Sequence, residues 1–272
     1  MKKILLGFIA IGLLTFFGCE KDDDKDTETT DSTETTSDYG TTETSSDYGS
    51  TDCDDETTET SSDEIADSDG NTYKTLIIGE QEWFAENLKT SKYNDGTTIP
   101  NVTNDTQWSN ETTGAWCHYD NDIDYECTYG KLYNWYAVET GKLCPTGWHV
   151  PTNAEWTELI DYLSANGHNE TEGKALKATS GWDDYNGQSG NGTDDYGWNG
   201  LPGEERYEDG DFTRWGTGYW WSSSEGSDVP GQGWTDDVIG LAFSHLLHDY
   251  EDMVDIYASS KTHGFSVRCL RD

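Results

Sequence analysis

The chain has 272 residues, of which 54 are acidic and 16 basic, and a formal net charge of −38. A molecule this negative repels phosphate backbones and anionic lipid surfaces, so nucleic-acid binding is set aside. Aromatic residues make up 13% and glycines number 29, a balance that suits short strands, turns and long loops better than a helical bundle.

Lys2 and Lys3 precede a run of apolar and small residues from Ile4 to Phe17, with Thr15 its one hydroxyl. That run is too short to span a hydrocarbon core of ~30 Å comfortably, but it suits the apolar region of a secretory signal. Gly18 before Cys19 resembles a bacterial lipobox, although Phe16 and Phe17 depart from its usual Leu and small residue. Residues 1–18 are therefore expected to be a lipoprotein signal peptide and Cys19 the lipidated residue. Glu20-Lys21-Asp22-Asp23-Asp24 is similar to the Lys-plus-acidic signal that exports lipoproteins of Bacteroidetes-type bacteria to the outer face of the outer membrane.

Residues 19–68 are Thr, Ser, Asp and Glu with almost nothing to bury, and Ser37-Asp38-Tyr39-Gly40 recurs as Ser46-Asp47-Tyr48-Gly49. Such a low-complexity, self-repelling stretch reads as a disordered linker, reaching about 40 Å as a random coil and further when its charges repel. Asp31-Ser32-Thr33 resembles an O-glycosylation site of such bacteria. All twelve tryptophans lie between Trp83 and Trp234, so the globular domain is placed at 69–272.

Two β-rich runs, Tyr73 to Ile78 and Gln81 to Leu88, meet at Gly79 and predict a hairpin. The stretch from Gly130 to Glu139, stopped by Gly141, predicts a short helix with Leu132, Trp135 and Tyr136 inward. Next comes CPTGWHVPTNAEWTEL, from Cys144 to Leu159. Pro151 keeps His149-Val150 extended, and Thr152 and Glu155 have capping-box spacing. Trp156, Leu159, Ile160 and Leu163 fall on one helical face, with Gly167 placed to stop the helix. Residues 181–218 carry Gly, Asp and Asn without periodicity and read as long loops. Four short runs, 219–224, 239–244, 253–258 and 265–270, predict a closing antiparallel meander.

A signal peptide delivers the chain to an oxidising compartment, where its six cysteines can form disulfides. Lipidation would use Cys19, and Cys53 lies in the linker as the odd residue. The other four allow three pairings. Cys117–Cys127, closing a short loop, and Cys144–Cys269, tying the helix entrance to the last strand, are the pairings we favour. No CxxC pair points to zinc instead.

Several blocks together resemble the Fibrobacter succinogenes major paralogous domain: DGNTYKTLIIGEQEWFAENL from Asp69, YGKLYNWYAV from Tyr129 and CPTGWHVPTNAEWTEL from Cys144. NGTDDYGWNGLPG from Asn191, YWWSSSE from Tyr219 and GFSVRCLRD from Gly264 complete the set. Residues 203–206, Gly-Glu-Glu-Arg, depart from the family's usual Gly-Gly-Tyr-Arg-like run. The family is described as secreted or surface-attached, without established activity. Its blocks look like those of sulfatase-modifying-enzyme-type domains, which implies an α+β, C-type lectin-like fold with N- and C-terminal strands paired. A disulfide from near the helix to the last strand is likewise a lectin-like feature.

No nucleophile elbow, phosphate loop or HExxH occurs, and His245 and His248 would point to opposite faces of a strand. The chain is thus expected not to be an enzyme and to need no cofactor. Structural calcium is the exception to weigh, with Asp183-Asp184, Asp194-Asp195 and Asp236-Asp237 as oxygen donors. Aromatics are the richest material for recognition: an exposed indole beside carboxylates stacks and hydrogen-bonds sugar rings. Trp156, Trp135 and Trp83 are expected in the core. Trp215, Tyr219, Trp221 and Trp234, with Asp236 and Asp237, are the candidate ligand-binding residues, and of Trp220 and Trp221 at most one is expected in the core. The expected function is a surface lipoprotein that recognises a glycan or another surface ligand, touching the membrane only through its lipid. A structural coat protein and an enzyme are the alternatives.

Overall fold

Thr75 to Phe84 forms the hairpin that its two β-rich runs predict. β1 (Ile65–Ala66) and β2 (Thr72–Tyr73) pair first, and β3 (Thr75–Ile78) then turns into β4 (Gln81–Phe84), with Ile78 opposite Gln81. The two-residue turn between them takes Gly79 to φ +65°, the left-handed conformation that primed hairpin turns demand. The computed structural model describes residues 65–226 and 240–272. Residues 1–64, with the signal segment, Cys19, Cys53 and nearly all of the acidic linker, lie outside the described residues, as do Trp234, Asp236 and Asp237. β1 lies N-terminal to the boundary expected at Asp69.

The described residues are α+β, with mostly short antiparallel strands and few helices. In chain order there follow α1 (Asp105–Ser109), β5 (Trp116–Cys117), α2 (Glu126–Tyr129), β6 (Leu132–Tyr133), α3 (Trp135–Val138) and β7 (Trp148–His149). The principal helix is α4 (Asn153–Leu163), followed by α5 (Glu172–Leu176) and the small hairpin β8 (Asp184–Tyr185) and β9 (Gln188–Ser189). The last strands are β10 (Thr217–Glu225), β11 (Leu241–His248), β12 (Asp255–Ser260) and β13 (Leu270–Arg271).

The capping box forms as spaced. The Glu155 amide donates to the Thr152 hydroxyl at 3.3 Å, and the Glu155 carboxylate accepts from the Thr152 amide at 2.7 Å. Trp156, Leu159 and Leu163 are buried, and Gly167 at φ +103° ends the turn that follows the helix. Gln81 donates to the Glu155 carbonyl at 2.9 Å, which fixes α4 to the hairpin.

A four-stranded sheet runs β3-β4-β13-β7, with Leu270 opposite both Trp83 and His149. The expected Cys144–Cys269 disulfide is present, its Cα atoms 6.0 Å apart. Beside it, β10-β11-β12 form an antiparallel sheet. The closing meander therefore has three strands, not four. Its expected fourth run bends away, Phe265 exchanging backbone bonds with Tyr133 and Leu270 joining the first sheet.

Three further expectations change. The helix over Gly130 to Glu139 is instead β6 followed by the single turn α3, because Asn134 stops the strand and its side chain caps the Ala137 amide at 3.2 Å. Cys117 and Cys127 do not pair. Cys117 is a free, fully buried thiol among Val102, Trp108 and Leu132, while Cys127 sits exposed on α2 and is disulfide-bonded elsewhere. Burial pushes the Cys117 thiol up to about 12, so it stays protonated. Finally, Trp220 and Trp221 are both core. They point to opposite faces of β10, but that strand runs between two apolar clusters, one holding Trp83, Trp156 and Trp198 and the other Phe84, Tyr133 and Phe265.

Candidate functional site

The loop of residues 203–216 is bolted down before it meets solvent. Glu204, at φ +56°, accepts from the Trp215 amide at 3.0 Å, the Gly216 amide at 2.7 Å and the Thr213 hydroxyl at 3.2 Å. Burial raises its pKa, and those backbone donors only partly oppose the rise. Two residues on, Arg206 is fully buried. It donates to the carbonyls of Val102 at 2.6 Å, Thr103 at 3.1 Å and Gly210 at 2.9 Å, and pairs with Asp105 at 2.8 Å. Its guanidinium lies over the rings of Trp108 and Phe212. This is the run that departs from the family pattern. A glutamate occupies the left-handed position where glycine is usual, and its carboxylate ties up the loop's own amides in return.

Between these anchors the chain lines a groove of about 750 Å³ with Tyr207, Asp209, Asp211, Phe212, Trp215 and Tyr219. Trp215 is 72% exposed, the most open large apolar side chain among the described residues, and Tyr207 is 43% exposed. Gly216, at φ +68° beside Asp249, lets the backbone turn from Trp215 directly into β10. At the floor, buried Glu205 accepts from His263 Nδ1 at 2.9 Å and bonds the Tyr219 hydroxyl. Burial first, and then Glu205 and Glu204, push the Tyr219 hydroxyl well above the ordinary range, so it remains a donor. Tyr207 lies against the His263 ring, 4.6 Å between centroids.

Two more hollows are found, of which one adjoins this groove. One, of about 450 Å³, shares Glu205, Tyr207 and Tyr219 and adds His248 and Tyr257. The other, of about 480 Å³, is lined by Tyr185, Tyr250, Asp249 and Glu251 among others.

Of the expected ligand-binding residues, the structure brings Trp215 and Tyr219 together in the groove. Trp221 does not belong there: it has no exposure, and its indole donates to the Tyr133 carbonyl at 2.7 Å. Tyr207, Glu205 and His263 were not singled out from the sequence. The exposed position of Tyr207 had a local signal, since it stands among Glu, Asp and Gly in RYEDGD; the Glu205–His263 pairing had none, because 58 residues separate them. Of the calcium candidates, Asp194 already accepts from the Asn199 amide at 2.7 Å, and burial raises its pKa. Among the described residues no group of three or more His, Cys, Asp or Glu is arranged to hold a metal. His245 and His248 face opposite sides of β11 as expected: His245 is buried against Trp156, and His248 stands 3.3 Å from Asp255.

A family model described as the Fibrobacter succinogenes major domain matches residues 76–271, most of the chain, so the protein belongs to that family. Neither the curated proteins nor the solved structures contain a match.

Proposed function

From membership of that family, we propose that the protein is a surface-anchored outer-membrane lipoprotein whose domain is a non-catalytic, C-type lectin-like recognition module binding glycan in the Trp215 groove. The single observation that carries the binding site is Trp215 itself: an indole 72% open to solvent, at a groove whose lining includes two tyrosines and three carboxylates. An aromatic face stacks on the apolar face of a sugar ring while carboxylates accept from its hydroxyls. The lectin-like reading is supported by the pairing of β4 with β13 and by the disulfide from the entrance of α4 to the last strand. Anchoring is supported by Gly18-Cys19 and the acidic tract behind it.

Trp215→Ala is expected to weaken glycan binding by about 1–3 kcal/mol with an unchanged melting temperature. Trp156→Ala, by contrast, should cost about 3–5 kcal/mol of stability as a large buried residue. Titration beside thermal melting of both variants is the test, and a Trp215→Ala protein that melts like Trp156→Ala would remove the groove reading. Cys19→Ala should shift the protein from the membrane to the soluble fraction.

A second reading has one observation in its favour. Glu205, His263 and the Tyr219 hydroxyl form a buried titratable cluster at the groove floor, the kind of arrangement catalytic sites use. Turnover of a bound glycan, lost in Glu205→Gln, would favour it over recognition.

A further inference from the structure

We propose that the three hollows form one continuous binding surface and that its ligand is an oligosaccharide carrying free amino groups, an amino-sugar polymer rather than a neutral or acidic one. This rests on the glycan reading above and names the class of glycan.

Continuity comes from a shared wall between the first two hollows and from ring stacking between the second and third. Tyr207 and Tyr219 line both the Trp215 groove and the hollow beside it. His248, in that second hollow, stacks on Tyr250 of the third with ring centroids 4.7 Å apart. Tyr250 in turn meets Tyr185 at 5.4 Å. Each hollow falls within the ~300–1,000 Å³ of a small-molecule site, so together they exceed what one sugar ring fills. Every one of them presents at least one open aromatic face: Trp215 in the first, Tyr257 (52% exposed) in the second, and Tyr185 and Tyr250 in the third.

Charge selects the ligand. Asp209 and Asp211 are exposed on the first hollow, Glu208 on the second, and Glu170, Asp249, Glu251 and Asp252 line the third. Among the described residues the basic side chains on these surfaces are already matched. Lys174 pairs with Asp252 at 3.4 Å, Arg214 with Asp120, His263 with Glu205, and His248 with Asp255. What remains is an excess of carboxylates interleaved with ring faces, an arrangement that repels uronates and sulfates. An ammonium group gains twice there, from the carboxylates and from the negative faces of the rings. Asp249 gives a local sign of that excess: burial and the neighbouring charge of Asp183 hold its pKa above the usual value, a strain an ammonium ion relieves.

The test is calorimetric titration of the full-length protein with a β-1,4-linked glucosamine hexamer, its fully N-acetylated counterpart, glucosamine monomer and polylysine, each at low and high salt. The glucosamine hexamer should bind about tenfold or more tighter than either the acetylated hexamer or the monomer, and its affinity should fall with salt. The double variant Asp209→Asn, Asp211→Asn should lose most of the preference for the amine form. Tyr250→Ala, a change at an exposed side chain, should weaken the hexamer but not the monomer. Equal binding of the acetylated hexamer would overturn the charge selection while leaving glycan recognition standing. Equal affinity for monomer and hexamer would overturn the continuous surface. Binding of polylysine with no saccharide bound would overturn both this inference and the glycan reading beneath it.

Discussion

In residues 144–163 every local preference points the same way. A cysteine fixes the entrance, Thr152 and Glu155 cap each other, and Trp156, Leu159 and Leu163 share one buried face. Residues 203–216 break three such preferences within one loop: Glu204 takes a left-handed backbone, Arg206 is buried whole, and Trp215 lies open to solvent. The first segment contributes to stability through consistency. The second is held in an unfavourable shape by its surroundings, and loops held in that way on a rigid scaffold are where binding usually resides.

The largest expected effect tests the first segment. Cys144→Ser or Cys269→Ser should lower stability by up to about 5 kcal/mol, since the bridge closes a loop spanning 125 residues. The double variant should lose little more than either single one, because both remove the same bond, and equilibrium unfolding in denaturant reads this directly. Next, Arg206→Met should cost about 3 kcal/mol by leaving three carbonyls without their donor. Hydrogen exchange should then quicken at residues 207–214 while α4 keeps its protection. Exchange that rises equally in both places would erase the distinction between the two regions.

The smallest effect concerns acid. His245 is fully buried on Trp156 with neither ring nitrogen bonded, and burial holds its pKa down to about 3. Unfolded, it would titrate at its ordinary 6.5. Below pH 6.5 the unfolded chain therefore gains a proton that the native one refuses, and stability falls until about pH 3. His245→Leu should add about 2 kcal/mol at pH 5 relative to its effect at pH 8. Glu155 contributes separately and at lower pH. Burial pushes it up, but the bonds from His149 and the Thr152 amide outweigh that and hold it at about 2, so its share is lost only as pH falls below 4.5. A His245→Leu protein with the native acid profile would place the sensitivity elsewhere.

These two regions also mark how far the sequence could be read. The hairpin at Gly79, the capped helix, the Cys144–Cys269 bond and the three-stranded part of the meander were legible because each rests on short-range spacing or on the order of elements. Leu132–Tyr133 was misread as helix because its partner, Phe265, lies far along the chain and supplies the pairing only in the fold. Trp221 was misassigned because alternation assumes one wet face, and β10 has none at that point. Of the groove, Trp215 and Tyr219 were found. Glu205 and His263 were not, since a carboxylate in an acidic chain carries no signal until its partner is known.

The disulfide also has a mechanical meaning. Tension applied between the two ends of the chain passes from Cys144 straight to Cys269 through the covalent bridge. Everything between them, including all three hollows, is removed from the length that can unravel. Pulled in a single-molecule trap, the oxidised protein should pay out none of the residues between Cys144 and Cys269. Breaking this bridge alone, as in Cys144→Ser, should add about 430 Å of contour, from 125 residues at ~3.4 Å each.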